Sequence, residues 1–189
     1  MEVSDFAELA ALCSGVRDVI RVVREQVARG PLAAMLEGHV MPSHAETEVH
    51  LPASIRTRFE ALEDMVNSQC DEARRQCCGV ALRALVSIYL NVRYFAKRHE
   101  LQSGHLFRWV VELPGEYIRC VQAEYPPSLV ILGHFAAAVS GIRSTWYLQE
   151  WSLPCLQGLR MVLDSNMQTW LDWPQEQAER QFPAIREDD

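Results

Sequence analysis

No apolar run in this 189-residue sequence is long enough to cross a bilayer. Apart from Ser128 to Gly141, the strongest is Val80 to Val92, which carries Arg83 and falls short of the roughly 20 residues a spanning helix needs. We therefore expect a soluble protein with no membrane partner. A concentrated basic face is also lacking. Lys and Arg number 18 against 25 Asp and Glu, a net charge of -7, which argues against a nucleic-acid partner, since phosphate neutralisation needs clustered positive charge. The nearest basic cluster, Arg93, Lys97, Arg98 and His99, is too small to reverse that.

The six cysteines, Cys13, Cys70, Cys77, Cys78, Cys120 and Cys155, offer no CxxC pair. A structural zinc site wants paired ligands at short spacing on both sides of a loop, so zinc is not expected. The amino terminus does not read as a signal peptide. We expect reduced, mostly buried thiols in an intracellular, cytoplasmic protein. There is no glycine-rich phosphate loop, no GxSxG elbow, no HExxH and no DDxxD-type cluster. Metal-dependent, phosphate-dependent and triad-hydrolase chemistry are thereby disfavoured, and no metal or cofactor is expected.

What is present is helical periodicity nearly everywhere. Ser4 or Asp5 can cap a first helix carrying Phe6, Leu9, Leu12, Val16, Val19, Ile20 and Val23. Gly30-Pro31 stops it and starts a short helix, Leu32 to Leu36, and Gly38 to Pro52 reads as a loop. Ala53 to about Gln76 is amphipathic, with Ile55, Phe59, Leu62, Met65 and Val66 as its stripe. Val80 to Lys97 reads as a buried helix and Gln102 to Pro114 as a connection. Pro114 opens a short helix to about Glu124. Pro126-Pro127 begins a stretch, about 127–141, that is apolar on every face, as a central helix must be. Thr145 to Trp151 is aromatic-rich, and Leu153 to Asp164 is helical. Trp170 to Pro174 looks like a last short helix stopped by proline. The expected fold is an all-α single-domain bundle over 1–182, with an acidic, disordered tail over 183–189.

Several residues carry chemical potential. His39, His44 and His50, near Glu46 and Glu48, have no regular ligand spacing and read as a solvated loop. Glu60, Glu63 and Asp64 fall on the wet face of their helix. All five Trp residues lie in the C-terminal half: Trp109, Trp146, Trp151, Trp170 and Trp173. They serve either as core anchors or as walls of an apolar small-molecule pocket. Gly133, Ala136, Ala137, Ala138, Ser140 and Gly141 leave room either for a guest or for close helix packing. His134 is the one imidazole inside the central run. It is either a core histidine bonded to a carbonyl or the polar group of a pocket wall.

Four blocks occur in order: LCSGVRDVIRVVREQVARGPLAAML (Leu12 to Leu36), FRWVVELPGEYI (Phe107 to Ile118), PPSLVILGHFAAAV (Pro126 to Val139) and TWYLQEWSLPCLQGL through TWLDWP (Thr145 to Pro174). Together they resemble the C-terminal regulatory domain of fungal zinc binuclear-cluster transcription factors, nearest the group described as sterol uptake control proteins. The resemblance implies an all-α domain that binds a sterol-like ligand between helices, with His134, Trp146, Tyr147 and Trp151 in the pocket wall. Two departures matter. The DNA-binding six-cysteine cluster is absent, and the chain starts near the middle of the family's regulatory domain. Ala136, Ala137, Ala138 and Ser140 also replace larger aliphatic residues, which should reshape the cavity.

Two functions are consistent with this. In one, the domain binds an apolar terpenoid-, sterol- or polyketide-like molecule and promotes a cofactor-free cyclisation, isomerisation or pericyclic step in fungal secondary metabolism. Holding a reactive conformer and placing polar groups where charge develops would suffice. His134 and Tyr147 would be the polar groups and Arg143 the anchor for a substrate carboxylate. Trp109, Phe135, Ala138, Trp146 and Trp151 would line the pocket. In the other, the domain is a non-catalytic sensor, or a dimerising modulator of a full-length relative, which would place it in the nucleus. A regulatory domain lacking its first half bares an apolar face, and a twofold homodimer would cover it. Sedimentation at micromolar concentration is expected to show a dimer; a stable monomer would refute this.

Overall fold

Pro52 leads into α1 (Ala53–Gln69), whose buried face is Ile55, Phe59, Leu62, Met65 and Val66. The spacing of these residues dictates that face. The structure, a computed structural model, describes residues 49–98, 100–101, 104–141 and 151–180. Among these the chain is all-α, without a strand. The helices expected from Phe6 to Val23 and from Leu32 to Leu36, the stretch Thr145 to Glu150 and the acidic tail lie outside the described residues, as do His39 and His44.

The helix expected to run from Ala53 to about Gln76 breaks earlier. Cys70 is extended, and the Asp71 carboxylate accepts the Arg74 backbone N–H at 2.9 Å, capping α2 (Glu72–Lys97). A carboxylate that satisfies an orphan N–H fixes a helix start more firmly than the fall in polarity near Cys77. Glu72 in the first turn and Lys97 in the last suit the helix dipole.

The expected connection Gln102 to Pro114 contains a helix, α3 (Gly104–Glu112). His105, Leu106, Trp109 and Val110 are its buried face. Arg108 Nε donates to Glu112 Oε1 at 2.7 Å across one turn. Pro114 then caps α4 (Gly115–Gln122), which buries Tyr117, Ile118 and Val121.

The central helix α5 (Pro126–Ser140) forms as expected, with every residue from Pro127 to Ser140 buried. Proline occupies its first turn, where the missing N–H breaks no helical bond. After Trp151 come α6 (Ser152–Val162) and a short α7 (Ser165–Gln168), the latter capped by the Asp164 carboxylate, which accepts the Asn166 and Met167 N–H groups, each at 2.9 Å. A 3₁₀ turn, Thr169–Leu171, leads into α8 (Asp172–Glu179). Pro174 therefore does not stop a helix; it sits in the first turn of one, which a proline tolerates. The Arg160 guanidinium bridges to Asp172 at 2.5 Å, tying α6 to α8.

Helices α1, α2, α4, α6 and α8 all pack on α5, and α3 packs on α2. Side-chain hydroxyls and an indole pin these contacts to backbone. Tyr89 donates to the His134 carbonyl at 2.7 Å, Tyr117 to the Ser128 carbonyl at 2.9 Å, and Trp109 Nε1 to the Ala81 carbonyl at 2.9 Å. Gly133 is where α5 comes nearest its neighbours. A Cβ there would collide with Cδ2 of Leu171, itself fully buried, and would crowd Cδ2 of Leu156. At this position the small residue serves close packing.

The turn from α4 to α5 is a Schellman motif. The Tyr125 N–H bonds the Cys120 carbonyl at 2.9 Å and the Glu124 N–H bonds the Val121 carbonyl at 3.0 Å. Glu124 takes the left-handed position, φ 54°, where an L side chain crowds the backbone and glycine does not. Glu124→Gly is expected to raise stability by about 0.5–1 kcal/mol in urea titration, with an unchanged denaturant slope.

Candidate functional site

His134 lies mid-way along α5 and is wholly shielded from solvent. Its Nδ1 is 2.9 Å from the Val130 carbonyl one turn back. A carbonyl only accepts, so Nδ1 carries the proton and Nε2 carries the lone pair. Nε2 is buried and has no hydrogen-bond partner among the described residues. The ring stacks on Trp173 of α8, centroids 5.7 Å apart and planes 19° from parallel. Beyond it, the Arg58 guanidinium of α1 sits 5.3 Å from the Trp173 ring centroid.

This setting determines the protonation of His134. Burial lowers its pKa from 6.5 to about 4; the Val130 bond opposes the shift and the Arg58 charge adds to it. The imidazole is neutral at pH 7. Burial likewise raises the pKa of the Tyr89 hydroxyl, whose neutral O–H holds the His134 carbonyl. The chemistry available to His134 is that of a neutral acceptor: Nε2 can take a proton or a hydrogen bond from a guest, and it has no proton to give.

Phe135, the next residue, faces a different neighbourhood. It stacks on Trp109 of α3, centroids 4.3 Å apart at 23°, and meets Trp151 edge-on at 6.1 Å and 67°. Trp109 also meets Tyr117 edge-on at 5.9 Å. Ala138, fully buried, follows one turn along α5. Of the sequence-predicted residues, Trp109, Phe135 and Trp151 thus converge from three separate segments, while His134 turns instead to α8. Arg143, Trp146 and Tyr147 lie outside the described residues.

Trp173, the ring that covers His134, is one of the five indoles read as anchors or pocket walls, but its pairing with His134 is not expected from the sequence. No periodicity links α8 to α5, and only the folded chain brings them together. Trp109, Phe135 and Trp151 expose 0%, 3% and 8% of their surface, so the three rings fill their own space in this conformation. A separate groove of about 570 Å³ runs between α1 and α2. Phe59, Val66, Leu82 and Val86 lie along it beside Glu60 and Arg83, and none of the sequence-predicted residues lines it. Glu60, Glu63 and Asp64 are exposed on α1. Among the described residues no three His, Cys, Asp or Glu side chains are grouped to hold a metal ion, and no helix is long and apolar enough to cross a membrane. No family model, curated protein or solved structure matches this chain.

Because the folded pKa of His134 lies below its unfolded value, the unfolded chain binds the extra proton first as pH falls. Stability tied to neutral His134 is complete above about pH 6.5 and is lost progressively down to about pH 4. The loss is on the order of 3 kcal/mol. His134→Asn, which keeps a donor for the Val130 carbonyl but has nothing to protonate, should flatten this part of the pH–stability curve. Parallel curves for the two proteins between pH 6.5 and 4 would disprove the assignment.

Proposed function

We propose that this chain is a ligand-binding helical domain for an apolar small molecule of terpenoid, sterol or polyketide type. The observation that supports this reading best is the convergence of Trp109, Phe135 and Trp151 from α3, α5 and the start of α6. Flat, rigid rings with few polar atoms make a surface suited to fused-ring or polyene hydrocarbon. The rings now rest on one another, so a guest has to part them. Binding then selects an opened conformation and is weakened by the fraction of molecules that populate it. The resemblance to sterol-binding regulatory domains points to the same ligand class.

A second reading, a cofactor-free cyclisation, isomerisation or pericyclic step, draws on one observation: the unpartnered lone pair of His134 Nε2. A group with no partner among the described residues is free to bond a guest hydroxyl or to accept its proton. Arg143, Trp146 and Tyr147 enter this reading as the anchor, wall and polar group assigned to them from the sequence. A homodimer remains part of the proposal, as the cover for an apolar face.

Incubating the purified protein with apolar fungal extracts, followed by mass spectrometry of the protein-bound and free fractions, separates the readings. Retention without conversion is the expected result for a binding domain. Conversion that persists after chelation and needs no added cofactor would instead establish the enzyme, and His134→Asn should then lower its rate at least tenfold while retention stays within about threefold. Neither retention nor conversion would overturn both.

A further inference from the structure

Four of the cysteines gather where the end of α1, the second turn of α2 and the last turn of α4 meet. Cys70 and Cys77 are almost wholly buried, Cys78 is wholly so, and Cys120 is partly open to solvent. The Cys77 and Cys120 sulfurs are 3.9 Å apart, and Cys77 Sγ also lies 3.3 Å from the Arg74 carbonyl. Both are free thiols. A disulfide needs its sulfurs at about 2.05 Å. The remaining closure, about 2 Å, is within the swing of two χ1 torsions on helices that already pack together.

We propose that Cys77 and Cys120 are a redox pair that closes to a disulfide joining α2 to α4. Cys120, the more exposed sulfur, meets the oxidant. With a peroxide, its thiolate attacks one oxygen, the O–O bond breaks, and Cys120 becomes a sulfenic acid as one water leaves. Cys77 then attacks that sulfur; the S–S bond forms, the S–O bond breaks, and the departing hydroxide leaves as water with the Cys77 proton. Two thiols and one peroxide give one disulfide and two waters. A thiol reductant reverses it.

The surroundings set the pace. Burial, then the neighbouring Cys77, pushes the Cys120 thiol up to about 11, with the Arg74 guanidinium drawing it down and Asp71 adding to the rise. Little thiolate exists at neutral pH, so the pair is a slow lock rather than a fast sensor. Closing it encloses all of α3 in a covalent loop. It also fastens α4 just ahead of the turn that launches α5, where the Cys120 carbonyl receives the Tyr125 N–H.

The folded protein is treated with hydrogen peroxide at mildly alkaline pH, alkylated, digested with trypsin without reduction and sequenced by mass spectrometry. The expected product is peptide 76–83 joined to peptide 120–143, lighter by two hydrogens than the separate pair. Fragmentation should place the bond at Cys77, and dithiothreitol should split it. Cys120→Ser and Cys77→Ser should abolish the joined peptide, whereas Cys78→Ala should keep it. A bond mapped to Cys78 in the wild-type protein would overturn the proposal, whether or not each variant folds. So would Cys120 carried to sulfinic acid while Cys77 remains alkylatable.

Discussion

Helix α5 has no side that meets water, and that constraint organises the rest of the molecule. A helix with one dry face needs one partner; Pro126–Ser140 needs partners all round. Five helices from both sides of it in the sequence supply them. The backbone polar groups enclosed this way must still be paired. Tyr89 and Tyr117 reach in from α2 and α4 to carbonyls of α5, so each aromatic ring fills volume while its hydroxyl supplies a hydrogen bond. The small residues of α5 fit the same constraint: at Gly133 the crowding by Leu171 leaves no room for even one more carbon.

His134 is the one titratable side chain within that enclosure on α5, and its state follows from it. Desolvation outweighs the helpful bond to Val130, so the ring stays neutral well below its ordinary range. The bond then settles the tautomer and leaves the far nitrogen bare. Such a bare acceptor is costly in a dry core. It is a weak point of the interior around α5, and a small polar guest group would relieve it.

The all-α fold and the central helix were legible in the sequence because burial on every face leaves a nearly continuous apolar run, interrupted by His134, between a proline pair and Gly141. The stripe of α1 was legible for the complementary reason, that one wet face imposes a period. The misread elements were those decided by a single cap or by tertiary contact. Asp71 starts α2 through one carboxylate, a signal only three residues long. Helix α3 is short, and its hold on the fold comes through Trp109, whose partners Ala81 and Phe135 are remote in sequence. Pro174 reads as a stop or a start depending on which side of it the helix lies, and packing of α8 on α5 makes it a start. Likewise the sequence marked out His134 and the indoles, but only the fold shows that His134 and Phe135, though adjacent, face different neighbours.

The proline pair that opens α5 solves a solvation problem at the same stroke. A helix that runs straight into the core carries its orphan N–H groups toward a region without water. Here Tyr125 offers no side-chain cap. Two of the orphan donors do not exist, since Pro126 and Pro127 have none, and Ser128 and Leu129 are the first residues with an N–H, each bonded to the Tyr125 carbonyl. Subtracting donors rather than capping them takes the chain from half-buried Tyr125 and Pro126 to fully buried residues within the first turn. The helix thus enters the core with two fewer donors to satisfy, while its hydrocarbon places it at the centre of the bundle.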